Sequence, residues 1–429
     1  HGAPAGGGGS SPPSAEHLQE YGKYLTRLAA SFGDKLTAYN TWNEPDGNPQ
    51  WYTGTPRQMG QILMLQHAAL KAGNPNAQVV ALACQRLRNA NGSPHSEPFV
   101  QQVLGNMTQP ASQHFDVIDW HDYRMGDEPS GPVAGPDPVR DGVQLMKKYA
   151  DGKPMWNTEW GYKYASKFAP GASTAPSTAV DTNAAHTIYS CGGGTDSAVK
   201  TEELQAKYYV QQVATAFANG VDVQFYFNFD EGPMTDRWAF GLAGRSHAYM
   251  KAVYFAASAA IRAFDQAESV AQERLEHLGD VWLTTVSVGG AESLMIWKDT
   301  GAVDVKIETL QGSLVASDMY GNEFSLQPSN GAVFLTVSGP MYLACKRTDL
   351  KRIETASFQL AEHNETVAVG QKMKGMSLRG TPPTGCAGVV QAGFLAKNSS
   401  AGSLGASMDV AVRAAAVAGE TYEAALWLV

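Results

Sequence analysis

The stretch that decides the fold is Leu36-Thr37-Ala38-Tyr39-Asn40-Thr41-Trp42, which runs directly into Asn43-Glu44-Pro45-Asp46. The first seven residues read as a strand, and the polar turn after them places a carboxyl group at its C-terminal end. A helix then announces itself: Thr55-Pro56-Arg57-Gln58 is a capping box with proline in the first turn, ahead of Met59, Ile62, Leu63, Ala69 and Leu70. Upstream, His1 to Pro13 is a Gly/Ser/Pro loop. Ser14 is the expected N-cap of a helix that carries Leu18, Tyr21, Leu25, Leu28 and Phe32 at helical spacing and stops at Gly33.

The strand–helix alternation continues downstream. Gln78 to Ala83 is a short buried strand and Phe99 to Leu104 begins a helix. Phe115 to Trp120 is a strand leading into His121-Asp122-Tyr123, and Val143 to Tyr149 is helical. Pro154 to Thr158 is a strand ending in Glu159-Trp160-Gly161-Tyr162. A helix from about 201 to 219 places Ala206, Tyr209, Val210, Val213 and Phe217 on one face. Val221 to Phe227 is the last strand of the series and Ala248 to Ala263 the last helix. Five repeated βα units imply parallel strands covered by helices. After about residue 268 the period becomes two. Val303, Val305 and Ile307 alternate with Asp304, Lys306 and Glu308, and Gly289-Gly290 and Tyr320-Gly321-Asn322 mark turns, as in an antiparallel sandwich. The expected domains are 1–267, a parallel barrel part; 268–348, a β-sandwich; and 349–429, a second β-rich module.

Composition bounds the function. A net charge of −9 over 429 residues disfavours nucleic acid and anionic membrane as partners. No stretch reaches the roughly 20 apolar residues of a membrane span. Cys84, Cys191, Cys345 and Cys386 lie far apart without metal-ligand spacing, and the 10 histidines show no H-x-H or H-x-x-E-H cluster. Neither a metal nor a cofactor is expected.

Parallel barrels carry their chemistry at the C-terminal ends of strands. Glu44 and Glu159 stand there, 159 − 44 = 115 residues apart, or three βα units. That spacing sets them across the barrel mouth from each other, as glycoside hydrolysis requires of its two carboxyl groups. Glu231 is a rival carboxylate, but its Gly232-Pro233 context reads as a plain turn. Trp51, Tyr52, Trp160 and Tyr162 flank the glutamates and are candidate sugar platforms or core residues. Residues 163 to 200 read as a long loop, either a cover for the cleft or a mobile insertion.

Trp42-Asn43-Glu44-Pro45, His121-Asp122-Tyr123 and Trp156-Asn157-Thr158-Glu159-Trp160-Gly161 together resemble the clan A glycoside hydrolases. Pro12 to Trp51 and Asp318-Met319-Tyr320-Gly321-Asn322 look most like family 39. The resemblance covers about residues 1–345. It implies a retaining hydrolase of β-glycosidic bonds in polysaccharide or oligosaccharide, with Glu44 as acid/base and Glu159 as nucleophile. Asn43 would bind the sugar 2-hydroxyl, Tyr123 would orient the nucleophile, and His121 would support them. Trp160 would join the sugar contacts, and Tyr226 or Trp238 would supply an aromatic floor. It also implies an α/β fold, a (β/α)8 TIM barrel of which strands 4–8 are visible, followed by antiparallel sandwich modules. Strands 1 to 3 would be missing, roughly 100–150 residues at ordinary barrel size. The isolated polypeptide would then be unstable and of doubtful activity. A general acid must hold its proton near working pH, so Glu44 of the complete enzyme is expected to have a raised pKa when it meets the leaving oxygen. The carbohydrate substrate implies a secreted or periplasmic location. Competing readings are an endo-acting glucanase or mannanase of the same clan, and a non-catalytic carbohydrate-binding protein with a relic barrel.

Overall fold

The computed structural model describes residues 11–47, 51–85, 87, 94–123, 138–162, 202–229, 240–243, 250–299, 301–328 and 330–356, and the backbone of short strands between 360 and 426. Two compact units change over between about residues 265 and 272.

The first unit is a parallel sheet interleaved with helices. Helix α1 (Leu18–Phe32) precedes strand β1 (Ala38–Asn40), and α2 (Pro56–Gly73) precedes β2 (Gln78–Cys84). Then follow α3 (Glu97–Gly105), β3 (Val117–His121), α4 (Pro138–Ala150), β4 (Met155–Trp160), α5 (Glu202–Ala218), β5 (Val223–Tyr226) and α6 (Ala252–Phe264). The strands lie in the order β1-β2-β3-β4-β5, each pair parallel, as βα units dictate. This is the curled sheet of a partial TIM barrel. One face packs on the helices through Val79, Ala81, Ile118, Trp120 and Met155, set against Ile62, Leu63, Val143 and Met146. The opposite, concave face carries Asn40, Asp119, His121 and Thr158.

Local chemistry explains most element ends. The capping box forms as its residues require: Thr55 Oγ1 accepts from Gln58 N, and Gln58 Oε1 accepts from Thr55 N at 2.9 Å. Helices α1 and α2 approach closely at Gly73, where an added Cβ would lie 2.2 Å from the Thr26 carbonyl oxygen. Three expectations are corrected. Helix α1 starts at Leu18 with His17 as its cap, because Ser14 instead closes a preceding turn in which its carbonyl accepts from His17 N and Leu18 N. The strand expected over residues 36–42 shrinks to β1; beyond Asn40 the chain follows β2 only through single bonds such as Thr41 N to Val80 O, 3.1 Å. Helix α5 buries Gln205, Gln211, Gln212 and Thr215 as well as its apolar face, so it is enclosed on all sides and not amphipathic.

The second unit is antiparallel. Strands β6 (Ser269–Leu275), β7 (Val281–Val288), β8 (Ala291–Lys298), β10 (Leu314–Asp318), β11 (Glu323–Leu326) and β13 (Met341–Leu343) form a sheet ordered β11-β10-β13-β8-β7-β6. Strands β9 (Val303–Thr309), β12 (Ala332–Val337) and β14 (Leu350–Thr355) form a second, ordered β12-β9-β14. Gly289 and Gly290, at φ 57° and 77°, make the β7–β8 hairpin turn that their dipeptide signals. Val305 and Ile307 are fully buried, as the period-two pattern requires. Strand β14 starts beyond residue 348 and pairs with β9, so the sheet extends to Thr355. Further on, β15 (Leu360–Ala368) pairs with β18 (Val389–Ala396), and β16 (Lys372–Met373), β17 (Met376–Leu378) and β19 (Ala424–Leu426) form a small sheet. Among the described residues, no helix is long and apolar enough to cross a membrane.

Candidate active site

The C-terminal ends of β1, β3 and β4 bring three side chains together. His121, the last residue of β3, is almost fully buried, and its Nδ1 lies 3.0 Å from Glu44 Oε1 and 3.3 Å from Glu159 Oε2. Tyr123 OH donates to Glu159 Oε1 at 2.5 Å. Gln85 Nε2 donates to Glu44 Oε2 at 2.9 Å. Glu159 stands opposite His121 in the β3–β4 register, after a bulge that turns it toward the concave side. Phe240 and Phe227 back the Tyr123 ring at 5.0 and 6.2 Å.

The backbone around the site is locally strained. Glu44 has φ 45°, and Leu82 and Ala83 on β2 have φ 84° and 41°; these left-handed conformations cost a non-glycine residue about 1–2 kcal/mol each. Glu44 N donates to Ala83 O at 3.0 Å, so the two departures support each other. Asp46, two residues on, anchors the turn. It accepts from Gln85 N at 3.1 Å and from the Ser96 hydroxyl, and His95 Nδ1 lies 2.8 Å from that hydroxyl. Cys84 is buried beside this network, and burial with the nearby Asp46 and Asp119 charges pushes its thiol pKa well up.

Electrostatics correct one expectation. Burial alone would raise the Glu44 pKa, but hydrogen bonds from His121 and Gln85 and the charges of His121 and His95 outweigh it. Glu44 is therefore held below the usual carboxylate range, not above it. Conversely, burial works against the His121 imidazolium. The Glu44 hydrogen bond and the Asp119, Glu159 and Glu44 charges more than compensate, so its pKa is raised. Tyr123 is kept neutral by burial and the adjoining Glu159.

One ligand atom each from Glu44, His121 and Glu159 lie within 4.8 Å of one another, a set that could also hold a metal ion. Sequence spacing could not show it, because the three come from separate strands.

The other candidates divide. Asn43 is exposed beside Glu44. Trp160 is buried under α5, 5.1 Å from Tyr209 and 4.9 Å from Tyr226, and so packs the sheet–helix layer instead of offering a sugar platform. The cause is strand alternation: Glu159 faces the site, so its neighbour faces the helices. Tyr226 lies in the same layer, and its hydroxyl donates to Phe240 O at 2.7 Å. Tyr52 and Tyr162 are buried, whereas Trp51 is exposed. Trp238, Glu231 and residues 163–200 lie outside the described residues. Asp46 is visible in the sequence only as part of the turn after Trp42, and no motif marks Gln85 or Asp119.

No family model matches this chain, and no curated protein matches it. Solved structures do. A family 39 glycoside hydrolase from the gut symbiont Bacteroides cellulosilyticus superposes with a TM-score of 0.55 at 18% identity, over 78% of this chain and 63% of that one. The chain has the fold of a family 39 glycoside hydrolase. It spans less than two thirds of that structure's length. A family 30 endoxylanase from Clostridium papyrosolvens (TM-score 0.48, 13% identity, 80% and 72% coverage) and a family 39 β-xylosidase from Caulobacter crescentus (0.47, 14%, 78% and 72%) are more remote.

Proposed function

We propose that the protein is a retaining glycoside hydrolase that cleaves β-linked polysaccharide or oligosaccharide, acting outside the cytoplasm. The observation that carries this reading is the convergence of Glu44 and Glu159 oxygens to within 4.8 Å around His121. Retaining enzymes set their carboxyl groups about 5–5.5 Å apart, and inverting ones about 6.5–9.5 Å, leaving room for a water. Glu159 then attacks the anomeric carbon, held in orientation by the Tyr123 hydroxyl. Glu44 protonates the leaving oxygen and afterwards removes a proton from the incoming water.

The lowered Glu44 pKa bears on the first step. His121 Nδ1, 3.0 Å from Glu44 Oε1, favours the ionised carboxylate in the free site. A sugar filling the cleft excludes water, and desolvation penalises that carboxylate. The Glu44 pKa then rises, and Glu44 holds the proton that the leaving oxygen needs. Glu44→Ala tests the assignment. The loss should be at least about 100-fold on glycosides with poor leaving groups, as general acid catalysis contributes, and far smaller on activated aryl glycosides. Equal losses on both would remove Glu44 from the acid role. Wild-type protein that binds oligosaccharide but hydrolyses neither class would instead favour a non-catalytic carbohydrate-binding function.

A further inference from the structure

Directly beneath the glutamates lies a polar layer that the hydrolysis steps do not use. Asp119, two residues before His121 on β3, is fully buried. Its Oδ2 accepts from Asn40 Nδ2 at 2.7 Å. From the other side, Thr158 Oγ1 lies 2.7 Å from both carboxylate oxygens, and Thr158 N donates to Oδ1 at 3.2 Å. Strand β2 separates β1 from β3, so the Asn40–Asp119 bond reaches over a whole strand. In a flat sheet those strands would be about 9–10 Å apart, twice the usual spacing; two short side chains close that gap because the sheet curls.

Each member of this bracket adjoins a residue of the site. Asn40 is four residues before Glu44, Asp119 two before His121, and Thr158 immediately before Glu159. A buried carboxylate is costly, and a neutral asparagine has the same shape. Only a carboxylate accepts at both oxygens, as Asn40 on one side and Thr158 on the other require; an asparagine would turn its amide nitrogen toward one of those donors. The charged and titratable groups facing His121 are Glu44, Glu159 and Asp119 itself, with His95 acting on Glu44 and Tyr123 bonded to Glu159.

We propose that Asp119 is a positioning residue: by accepting from Asn40 on one side and Thr158 on the other, its carboxylate ties the strands bearing Glu44 and Glu159 to the strand bearing His121 and sets the separation of the two glutamates. The catalytic part of this inference rests on the glycosidase reading; the bracket itself does not.

The test is a double-mutant cycle on Asp119 and Asn40. Asp119→Asn and Asn40→Ala should each cut kcat/KM about tenfold or more, chiefly through kcat with KM little changed, because the glutamates lose their set separation. The double variant should lose no more than Asp119→Asn alone, since both substitutions open the same bracket. A folded variant with unchanged kcat, or losses that multiply in the double variant, overturns the proposal. If Asp119→Asn does not fold, Thr158→Val paired with Asn40→Ala serves in the same cycle. A wild type that cleaves no glycoside would sink the hydrolase reading, and non-additive unfolding free energies in the same cycle would still report the bracket. Full activity in every variant would do the reverse.

Discussion

Gln85→Ala tests how the acid/base group is tuned. The Gln85 amide donates to Glu44 Oε2 at 2.9 Å and favours the ionised form, so its removal should raise the Glu44 pKa. A hydrogen bond to a charged group contributes about 1.5–3 kcal/mol, and one pKa unit corresponds to about 1.4 kcal/mol. The Glu44 side chain keeps 13% of its exposure, so water partly replaces the amide. An upward shift of about 0.5–1 unit remains after that discount. A second substitution reaches the same bond from outside. An alanine Cβ at Gly47 would lie 2.3 Å from Gln85 Nε2, which forces the flexible amide away from Glu44. The assay is kcat/KM against pH on a substrate with a poor leaving group, where the alkaline limb reports the general acid. Gln85→Ala and Gly47→Ala should each move that limb to higher pH, and the double variant no further than Gln85→Ala alone. A limb that stays put, or moves to lower pH, would refute the coupling. A further shift from Gly47→Ala in the Gln85→Ala background would show that the glycine acts by another route.

Three further outcomes follow from the structure. The Asp119 pKa is raised to about 6, chiefly by burial, so its ionisation destabilises the fold progressively from the unfolded value near 3.8 up to about pH 6 and fully above that. Unfolding free energies of wild type and Asp119→Asn should therefore diverge in the variant's favour by about 3 kcal/mol between pH 4 and 7, and a constant difference would contradict the raised value. Gly161→Ala should destabilise the protein by about 1–3 kcal/mol and depress activity, because its Cβ would lie 2.5 Å from the Phe227 carbonyl oxygen where two strand ends meet; denaturant unfolding equal to wild type would show that this contact relaxes freely. Thr55→Ala should cost about 1 kcal/mol by breaking the α2 cap while leaving kcat untouched, and a lowered kcat would mean that α2 is coupled to the site.

The parts of the fold visible in the sequence are those set by short-range chemistry. The Thr55–Gln58 box, the Gly289-Gly290 turn and the 303–308 alternation each specify an element within a few residues, and each formed. Glu44 and Glu159 stand after and near the end of strands three βα units apart, and that spacing is the signal that they meet; their oxygens lie within 4.8 Å. What escaped depends on curvature and facing. Trp160 is a large aromatic beside a glutamate, but one step along a strand turns it to the helices. Gln85 and Asp119 lie in stretches that carry no motif; the bulge at Leu82 and Ala83 and the curl that lets Asn40 reach across β2 bring them to the site. The lowering of the Glu44 pKa in the free site has the same origin, since it depends on His121, which arrives from a strand two places away.

The central claim is that Glu159 is a nucleophile. Incubation with a 2-deoxy-2-fluoro β-glycoside bearing a good leaving group, followed by digestion and mass spectrometry, addresses it directly, because fluorine slows both steps and the leaving group rescues only the first. One added sugar is expected on the peptide spanning Trp156 to Tyr162, absent in Glu159→Gln. Label on the peptide containing Glu231, or hydrolysis with inverted anomeric configuration and no label at all, would contradict it.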